Sequence, residues 1–140
     1  MGNSQSIQKI NYEDIQYIIK NRDNVILINV LNISDQDCLI PTTIDINVEI
    51  ELINNCIKTA RKDIKIIVYG RNCNDDKIHE KYAQLVSLGF YNVYVYPGGL
   101  FEWLMLQDIY GAEEFPTTKK ELDILKFKPT KLLNVRLIEY

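Results

Sequence analysis

Strand-length apolar runs alternate along the chain with segments whose apolar residues recur at helical spacing. Three of these runs lie at Val25–Val30, Ile64–Tyr69 and Asn92–Tyr96. The first run is almost continuously apolar, which is typical of a strand covered on both faces. From Ile64 onwards the order is strand, polar loop, amphipathic helix and second strand, which is a βαβ unit. The sequence therefore predicts an α/β fold built on a parallel sheet.

Four helices follow from the apolar spacing and from the residues that start and stop them. Asn11 can cap the first helix, while Gly89 and Gly111 end the third and the fourth. The expected helices span residues 11–20, 48–60, 77–88 and 98–110, with short strands at 6–11 and 43–46. A loop is expected at residues 33–41.

A chain of 140 residues is expected to form one domain that buries its own core. We expect this domain to span residues 7–111, after a disordered N-terminal segment of residues 1–6. Residues 112–140 lie beyond it as a C-terminal extension. The run Leu132–Tyr140 is too apolar for a free tail, so we predict that the extension packs on the domain or on a partner.

The charge, the apolar runs and the cysteine content argue against several classes of function. The net charge of −3, without a basic stripe, argues against nucleic-acid binding. No apolar run is long enough for a transmembrane segment, and the polar N-terminus lacks a signal-peptide core. Cys38, Cys56 and Cys73 show no CxxC spacing, and His79 is the only histidine, which does not favour a zinc site. We therefore expect no metal, no cofactor and reduced thiols in the cytoplasm.

An ordered set of motifs surrounds the second and third predicted strands. Leu88-Gly89-Phe90 ends a helix, Asn92-Val93 opens a strand, and Gly98-Gly99 stands just before Trp103. Upstream matches lie at Val25–Val30, at Ile40-Pro41 and at Ile44-Asp45-Ile46. In order and spacing, these motifs resemble the rhodanese-like domain family over about residues 10 to 108. The resemblance implies a parallel sheet flanked by helices on both faces, with an anion-cradling loop after the second strand.

The chain departs from that family where the chemistry is expected. Gly70 stands where the family has its nucleophilic cysteine, and Asp75 stands where it has the arginine that closes the loop. Three further departures are Asn29 in place of an aspartate, Leu31 in place of an arginine and Leu39 in place of a histidine. The resemblance therefore implies a scaffold that is kept and a catalytic set that is lost.

The loop is the candidate site, because ligands of parallel sheets bind outside the carboxyl ends of the strands. It consists of Gly70, Arg71, Asn72, Cys73, Asn74 and Asp75. Asp75 and Asp76 are expected to cap the next helix and to satisfy its free amides. Cys73 is the candidate nucleophile, displaced along the loop; the alternative is an ordinary cysteine, because the neighbouring carboxylates would raise a thiol pKa.

The remaining candidates have structural interpretations. His79 is expected on the surface of the helix, about one turn from the loop. Trp103 and Cys56 are expected in the core, and Cys38 in a loop or a packing position.

The leading functional hypothesis is a catalytically inactive rhodanese-like module that acts by binding a protein or by regulation. One alternative is a sulfurtransferase that carries a persulfide on Cys73. Another is a structural protein that uses the fold for self-association, since fold alone does not decide function. A phosphatase of the related Cys-loop-Arg design is less favoured, because both of its diagnostic residues are missing.

Met1–Ser6 matches the N-myristoylation pattern, with Gly2 as the acceptor and Ser6 at the sixth position. One myristoyl chain gives only marginal membrane binding. The alternative is a disordered polar start. The expected location is thus cytoplasmic, with weak membrane association if Gly2 is lipidated.

Overall fold

Three parallel strands form the centre of the protein, in a computed structural model that describes residues 6–22 and 24–133. The sheet has the order β1 (Val25–Asn29), β2 (Lys65–Tyr69) and β3 (Val93–Tyr96). The helices are α1 (Tyr12–Lys20), α2 (Ile46–Lys58), α3 (Asp76–Ser87) and α4 (Gly99–Tyr110), with short 3₁₀ helices η1 (Ile33–Asp35) and η2 (Ile124–Phe127).

The register of the sheet brings the carboxyl ends of all three strands to one edge. Asn29 pairs with Tyr69, and Tyr69 pairs with Tyr96. The segments that follow these three residues therefore lie side by side, and the loop after β2 is the central one.

The two predicted short strands are single bridges in the structure. Lys9 bridges to Val95, and Thr43 bridges to Leu27, both in parallel. Each segment becomes a helix within a few residues, because Asn11 caps α1 and Asp45 caps α2. The predicted strand at 43–46 is thus wrong in extent, and α2 begins at Ile46 rather than at residue 48.

Helices cover both faces of the sheet, which confirms the predicted fold class. Alternate strand residues point to opposite faces. On one face, Leu27 and Ile67 pack in a core with residues of α1 and α4. On the other, Ile28 and Val68 pack in a core with residues of α2 and α3. Both cores consist mainly of aliphatic side chains, each of which contributes about 1.5–3 kcal/mol when fully buried.

Three of the predicted structural residues are buried. Trp103 is fully buried in the core on the α1 and α4 side, and Cys56 is buried on the inner face of α2, so both predictions are confirmed. Cys38 is also buried, in the same core as Trp103, and desolvation raises its pKa.

The first part of the C-terminal extension packs on the domain. Phe115 and Phe127 are buried in the core that contains Trp103. The indole Nε1 of Trp103 donates to the carbonyl of Pro116 at 2.8 Å, and the Trp103 and Phe115 rings meet edge to face with centroids 5.0 Å apart. The extension thus supplies two aromatic side chains to the core.

The ends of the chain lie outside the described residues. These ends are residues 1–5, with the lipidation candidate Gly2, and residues 134–140 of the late apolar run. Leu132 and Leu133, at the start of that run, are exposed. Within residues 6–22 and 24–133, no helix combines the length and the apolar character that a membrane crossing requires.

Candidate functional site

The loop at residues 70–75 is built against the start of α4. The amides of Leu100 and Phe101 donate to the carbonyls of Gly70 and Arg71, at 2.9 and 2.8 Å. Gly99 has a φ of +67°, and a Cβ atom there would lie 2.7 Å from the Gly70 carbonyl oxygen. A glycine is therefore required at residue 99, since it permits both the backbone conformation and the close approach of helix and loop.

The carboxylate of Asp75 occupies the concave side of the loop. Its Oδ2 atom accepts from the Arg71 amide at 3.1 Å, and its Oδ1 atom accepts from the Lys77 amide at 3.1 Å. Asp75 is thus the N-cap of α3, as predicted. A Cβ atom added at Gly70 would lie 2.5 Å from Asp75 Oδ2. Asp75 therefore fills the space beside residue 70 with negative charge.

Asn72 holds the middle of the loop. Its Oδ1 atom accepts from the Asn74 amide at 2.9 Å, and its backbone carbonyl accepts from the Asp75 amide at 3.3 Å. Its Nδ2 group donates to the carbonyl of Phe127 at 2.9 Å. The side chain is buried. Asn72 therefore stabilises the loop and joins it to the C-terminal extension.

Arg71 points towards the extension rather than into the concavity of the loop. Its Nη1 atom lies 3.4 Å from Asp35 Oδ2, and its Nη2 group donates to the carbonyl of Lys126. The guanidinium also lies 5.3 Å from the centroid of the Phe127 ring. Its charge therefore joins the loop to η1 and η2.

Lys126 is the second cation that contacts Asp35, which already pairs with Arg71. Its ammonium group lies 3.4 Å from Asp35 Oδ1, 3.5 Å from Glu121 Oε1 and 5.4 Å from the centroid of the Phe127 ring. The Asp35 side chain is only 8% exposed. It therefore depends on Arg71 and Lys126 as counterions, because a buried carboxylate without a partner is strongly disfavoured.

Cys73 is the exposed thiol of the loop. Its Sγ atom lies 3.7 Å from Asn74 Oδ1. The Arg71, Asn74 and Asp75 amides of the loop already have acceptors within it, as does the Lys77 amide at the start of α3. His79 is exposed on α3, as predicted. In the described part of the chain, no three histidine, cysteine or carboxylate side chains come together as a metal site.

Two polar pairs at this edge of the sheet were not found by sequence reasoning. Asn29 is buried and pairs with Gln36 through two amide hydrogen bonds, of 3.0 and 2.8 Å. Tyr96 donates to Glu102 Oε2 at 2.7 Å, and burial together with this hydrogen bond raises the pKa of the phenol. The only sequence signal for these pairs is their short separation, seven residues from Asn29 to Gln36 and six from Tyr96 to Glu102.

The family comparison agrees with this architecture. The family model described as the rhodanese-like domain matches residues 13–106, which is more than half of the chain. The chain belongs to the rhodanese-like domain family. A search of curated proteins found no significant match.

Solved structures share the rhodanese-like fold. The rhodanese-like domain of the Alr3790 protein from Anabaena sp. is 22% identical, with a TM-score of 0.56, over 91% of this chain and 88% of that one. The BH2092 protein from Bacillus halodurans is 23% identical, with a TM-score of 0.56, over 74% of each chain. The single-domain sulfurtransferase RDL2 from Saccharomyces cerevisiae is 20% identical, with a TM-score of 0.52, over 82% of this chain and all of that one. Identities this low show the fold alone.

The rhodanese-like loop of this chain brings its six predicted residues together, but with different orientations. Asp75 and Asn72 form hydrogen bonds within the loop, the Arg71 side chain points towards the C-terminal extension, and the Cys73 thiol is exposed to solvent. Their roles in binding or catalysis stay predictions.

Proposed function

We propose that this rhodanese-like domain is a catalytically inactive module that acts by binding a protein. The observation that carries the proposal is the Asp75 carboxylate, which occupies the space beside Gly70. Gly70 has no sulfur, and any side chain at that position would meet the carboxylate. The position at which the family resemblance places a nucleophile therefore has no sulfur, and the Asp75 carboxylate lies where a side chain there would begin.

The electrostatics of the loop oppose an anionic intermediate in the same place. A persulfide or thiolate is stabilised by free backbone amides, a helix N-terminus and a cation. Here Asp75 already accepts from the Arg71 amide and from the N-terminus of α3, and the Arg71 side chain pairs with Asp35. A second anion would face the Asp75 carboxylate, which costs on the order of a kcal/mol or more at short range.

The outer side of α4 supports a role in binding. Leu100, Trp103 and Leu104 bury one side of this helix in the core. Met105 and Ile109, four residues apart, expose another side, with Met105 43% and Ile109 66% accessible. Exposed apolar side chains that lie together on a surface are typical of a site that contacts another protein. This exposed side of α4 is the protein-binding surface that we propose.

A sulfur-transfer assay tests the inactivity. With thiosulfate as donor and cyanide as acceptor, the full chain should form no thiocyanate above a buffer blank. The Cys73→Ser variant is the matched control, and its rate should equal that of the wild type. Thiocyanate formation that disappears in Cys73→Ser would contradict the proposal.

The exposed thiol of Cys73 favours a second candidate, a sulfurtransferase that uses this displaced cysteine. The Cys73 thiolate would attack the outer sulfur of thiosulfate, form a persulfide and release sulfite. Mass spectrometry after incubation with thiosulfate tests this step directly. A gain of one sulfur atom on the peptide that contains Cys73 would support the second candidate, whereas an unmodified peptide would support inactivity.

Self-association through α4 is distinguishable from binding to another protein. Light scattering on the wild type and on Ile109→Lys reports the mass of each. A dimeric wild type that becomes monomeric in the variant would assign the exposed side of α4 to self-association. A monomeric wild type would argue against self-association and would favour a different protein as the partner of this surface.

A further inference from the structure

The end of the described chain combines exposed lysines with exposed leucines. The basic segment, which we define as residues 119–133, contains five lysines and two carboxylates, a charge of +3 in a chain whose net charge is −3. All five lysines are exposed: Lys119, Lys120, Lys126, Lys128 and Lys131. Four leucines are also exposed, Leu122 by 82%, Leu125 by 62%, Leu132 by 86% and Leu133 by 79%.

The structure explains why these leucines face solvent in the first half of the basic segment. Ile124 and Phe127 are three residues apart in η2, and both pack against the core. In a 3₁₀ helix residues three apart share a face, so Leu125 and Lys126 project outwards. Phe127 is also fixed by Arg71 and by the Asn72 side chain. The outward residues therefore belong to an anchored part of the fold.

We propose that the basic segment binds the surface of an anionic lipid membrane. Lysine ammonium groups are attracted to anionic headgroups, and leucines enter the boundary between headgroups and acyl chains. The segment supplies both kinds of side chain within fifteen residues. In a chain that is acidic overall, this segment joins positive charge to exposed leucines, and it orients the domain with residues 119–133 towards the membrane.

A lipid surface fits these residues better than an acidic protein does. A protein interface of high affinity buries its apolar anchors in pockets that are centred among polar residues. Here leucines and lysines are interspersed over fifteen residues, and the positive groups are all lysines. Their long stems let the charge reach the headgroups while the leucines enter below them. An acidic protein partner is the alternative that the experiment separates.

Vesicle sedimentation of the full chain tests the proposal. The protein should sediment with vesicles of phosphatidylcholine and phosphatidylserine, and it should remain in solution with phosphatidylcholine alone. Binding should weaken as the salt concentration rises, because salt screens exposed charges. Protein produced without N-myristoylation is used, so that the basic segment alone is tested.

Two sets of substitutions separate the contributions. The charge variant replaces Lys119, Lys120, Lys128 and Lys131 with glutamine, and Lys126 is kept because it pairs with Asp35. At about fivefold for each lysine near an anionic surface, it should lose roughly a hundredfold or more in affinity. The leucine variant, Leu122→Ser with Leu125→Ser, should lose about tenfold.

The matched control lies on the other side of the sheet. Ile50 on α2 is 74% exposed, and Lys58 is exposed at the end of the same helix. Ile50→Ser with Lys58→Gln should leave vesicle binding unchanged. Circular dichroism and thermal unfolding should show that all variants keep the wild-type fold. Equal binding to neutral vesicles, binding that the charge variant retains, or an absence of vesicle binding would each overturn the proposal, and the last would favour an acidic protein partner.

Discussion

The Asp75 carboxylate lies where a side chain at position 70 would begin: a Cβ atom at Gly70 would lie 2.5 Å from Asp75 Oδ2. The carboxylate is held in place by the amides of Arg71 and Lys77, so it has little freedom to move aside. Gly70 and the Asp75 carboxylate are thus sterically coupled, since the absence of a side chain at residue 70 leaves the space that the carboxylate occupies.

Gly70→Ala is expected to lower the free energy of unfolding by about 1–3 kcal/mol, as in other overpacked sites. The cost should be smaller in an Asp75→Ser background, because serine is shorter and still caps α3. Part of the cost should remain in that background, because the added Cβ would still lie 3.0 Å from Ile78 Cγ1 and from Val30 Cγ2. Urea unfolding of the four proteins in this double-mutant cycle measures the difference. Equal costs in both backgrounds would show that the aliphatic neighbours alone exclude the side chain.

Gly70→Cys should create a thiol whose pKa is lower when Asp75→Arg is present than when Asp75 remains. The carboxylate disfavours the thiolate, whereas a guanidinium at the same position favours it. The rate of thiol alkylation as a function of pH gives both pKa values. A Cys73→Ser background removes the exposed thiol, while Cys38 and Cys56 are buried. The same pKa in both variants would show that the backbone amides of the loop determine it without the charged side chain.

Tyr69 should make stability decline at alkaline pH. Burial raises the pKa of its phenol above the unfolded-state value of about 10. Above that pH the unfolded chain releases its proton first, so the free energy of unfolding falls as the pH rises towards the folded-state pKa. Tyr69→Phe should make this decline less steep. Part of the decline should remain, because the pKa of Tyr96 is also raised.

The same variant should be less stable at neutral pH. The Tyr69 hydroxyl accepts from the Ile40 amide at 3.2 Å and lies 2.8 Å from the Thr43 hydroxyl. The loss of these partners is expected to cost about 1–3 kcal/mol. Urea unfolding at several pH values tests both effects. A decline as steep as in the wild type would mean that Tyr69 does not contribute to the alkaline loss of stability.

Truncation after Gly111 should lower the melting temperature and leave the oligomeric state unchanged. Phe115 and Phe127 are buried in the core, and removing either as Phe→Ala is expected to cost about 3–5 kcal/mol. Leu122→Ala is the matched control within the extension, since this leucine is 82% exposed and should change stability by less than about 0.5 kcal/mol. Thermal unfolding and light scattering measure both properties. A truncated protein that melts at the wild-type temperature would show that the extension does not stabilise the domain.

The sequence by itself determined the strands, the helices and the parallel sheet of this protein. Near-continuous apolar runs and helical spacing are local patterns, and each was enough to place an element such as β2 or α3. The absence of sulfur at Gly70 and the capping role of Asp75 were also accessible, because both depend on residue type and on position beside a helix start. The predicted short strands at 6–11 and 43–46 were too long. Each segment forms a single bridge and then begins a helix, which Asn11 or Asp45 caps.

Only the tertiary structure decided which residues the candidate loop contacts. Arg71 and Asn72 meet Lys126 and Phe127 across a separation of 55 residues, and no periodic pattern in the irregular extension indicates that contact. Asp35 joins the same cluster because the register of the sheet sets the end of β1 beside the end of β2. Local spacing determines what a segment can form, whereas the partners of a buried charge depend on chain segments that only the folded sheet brings together.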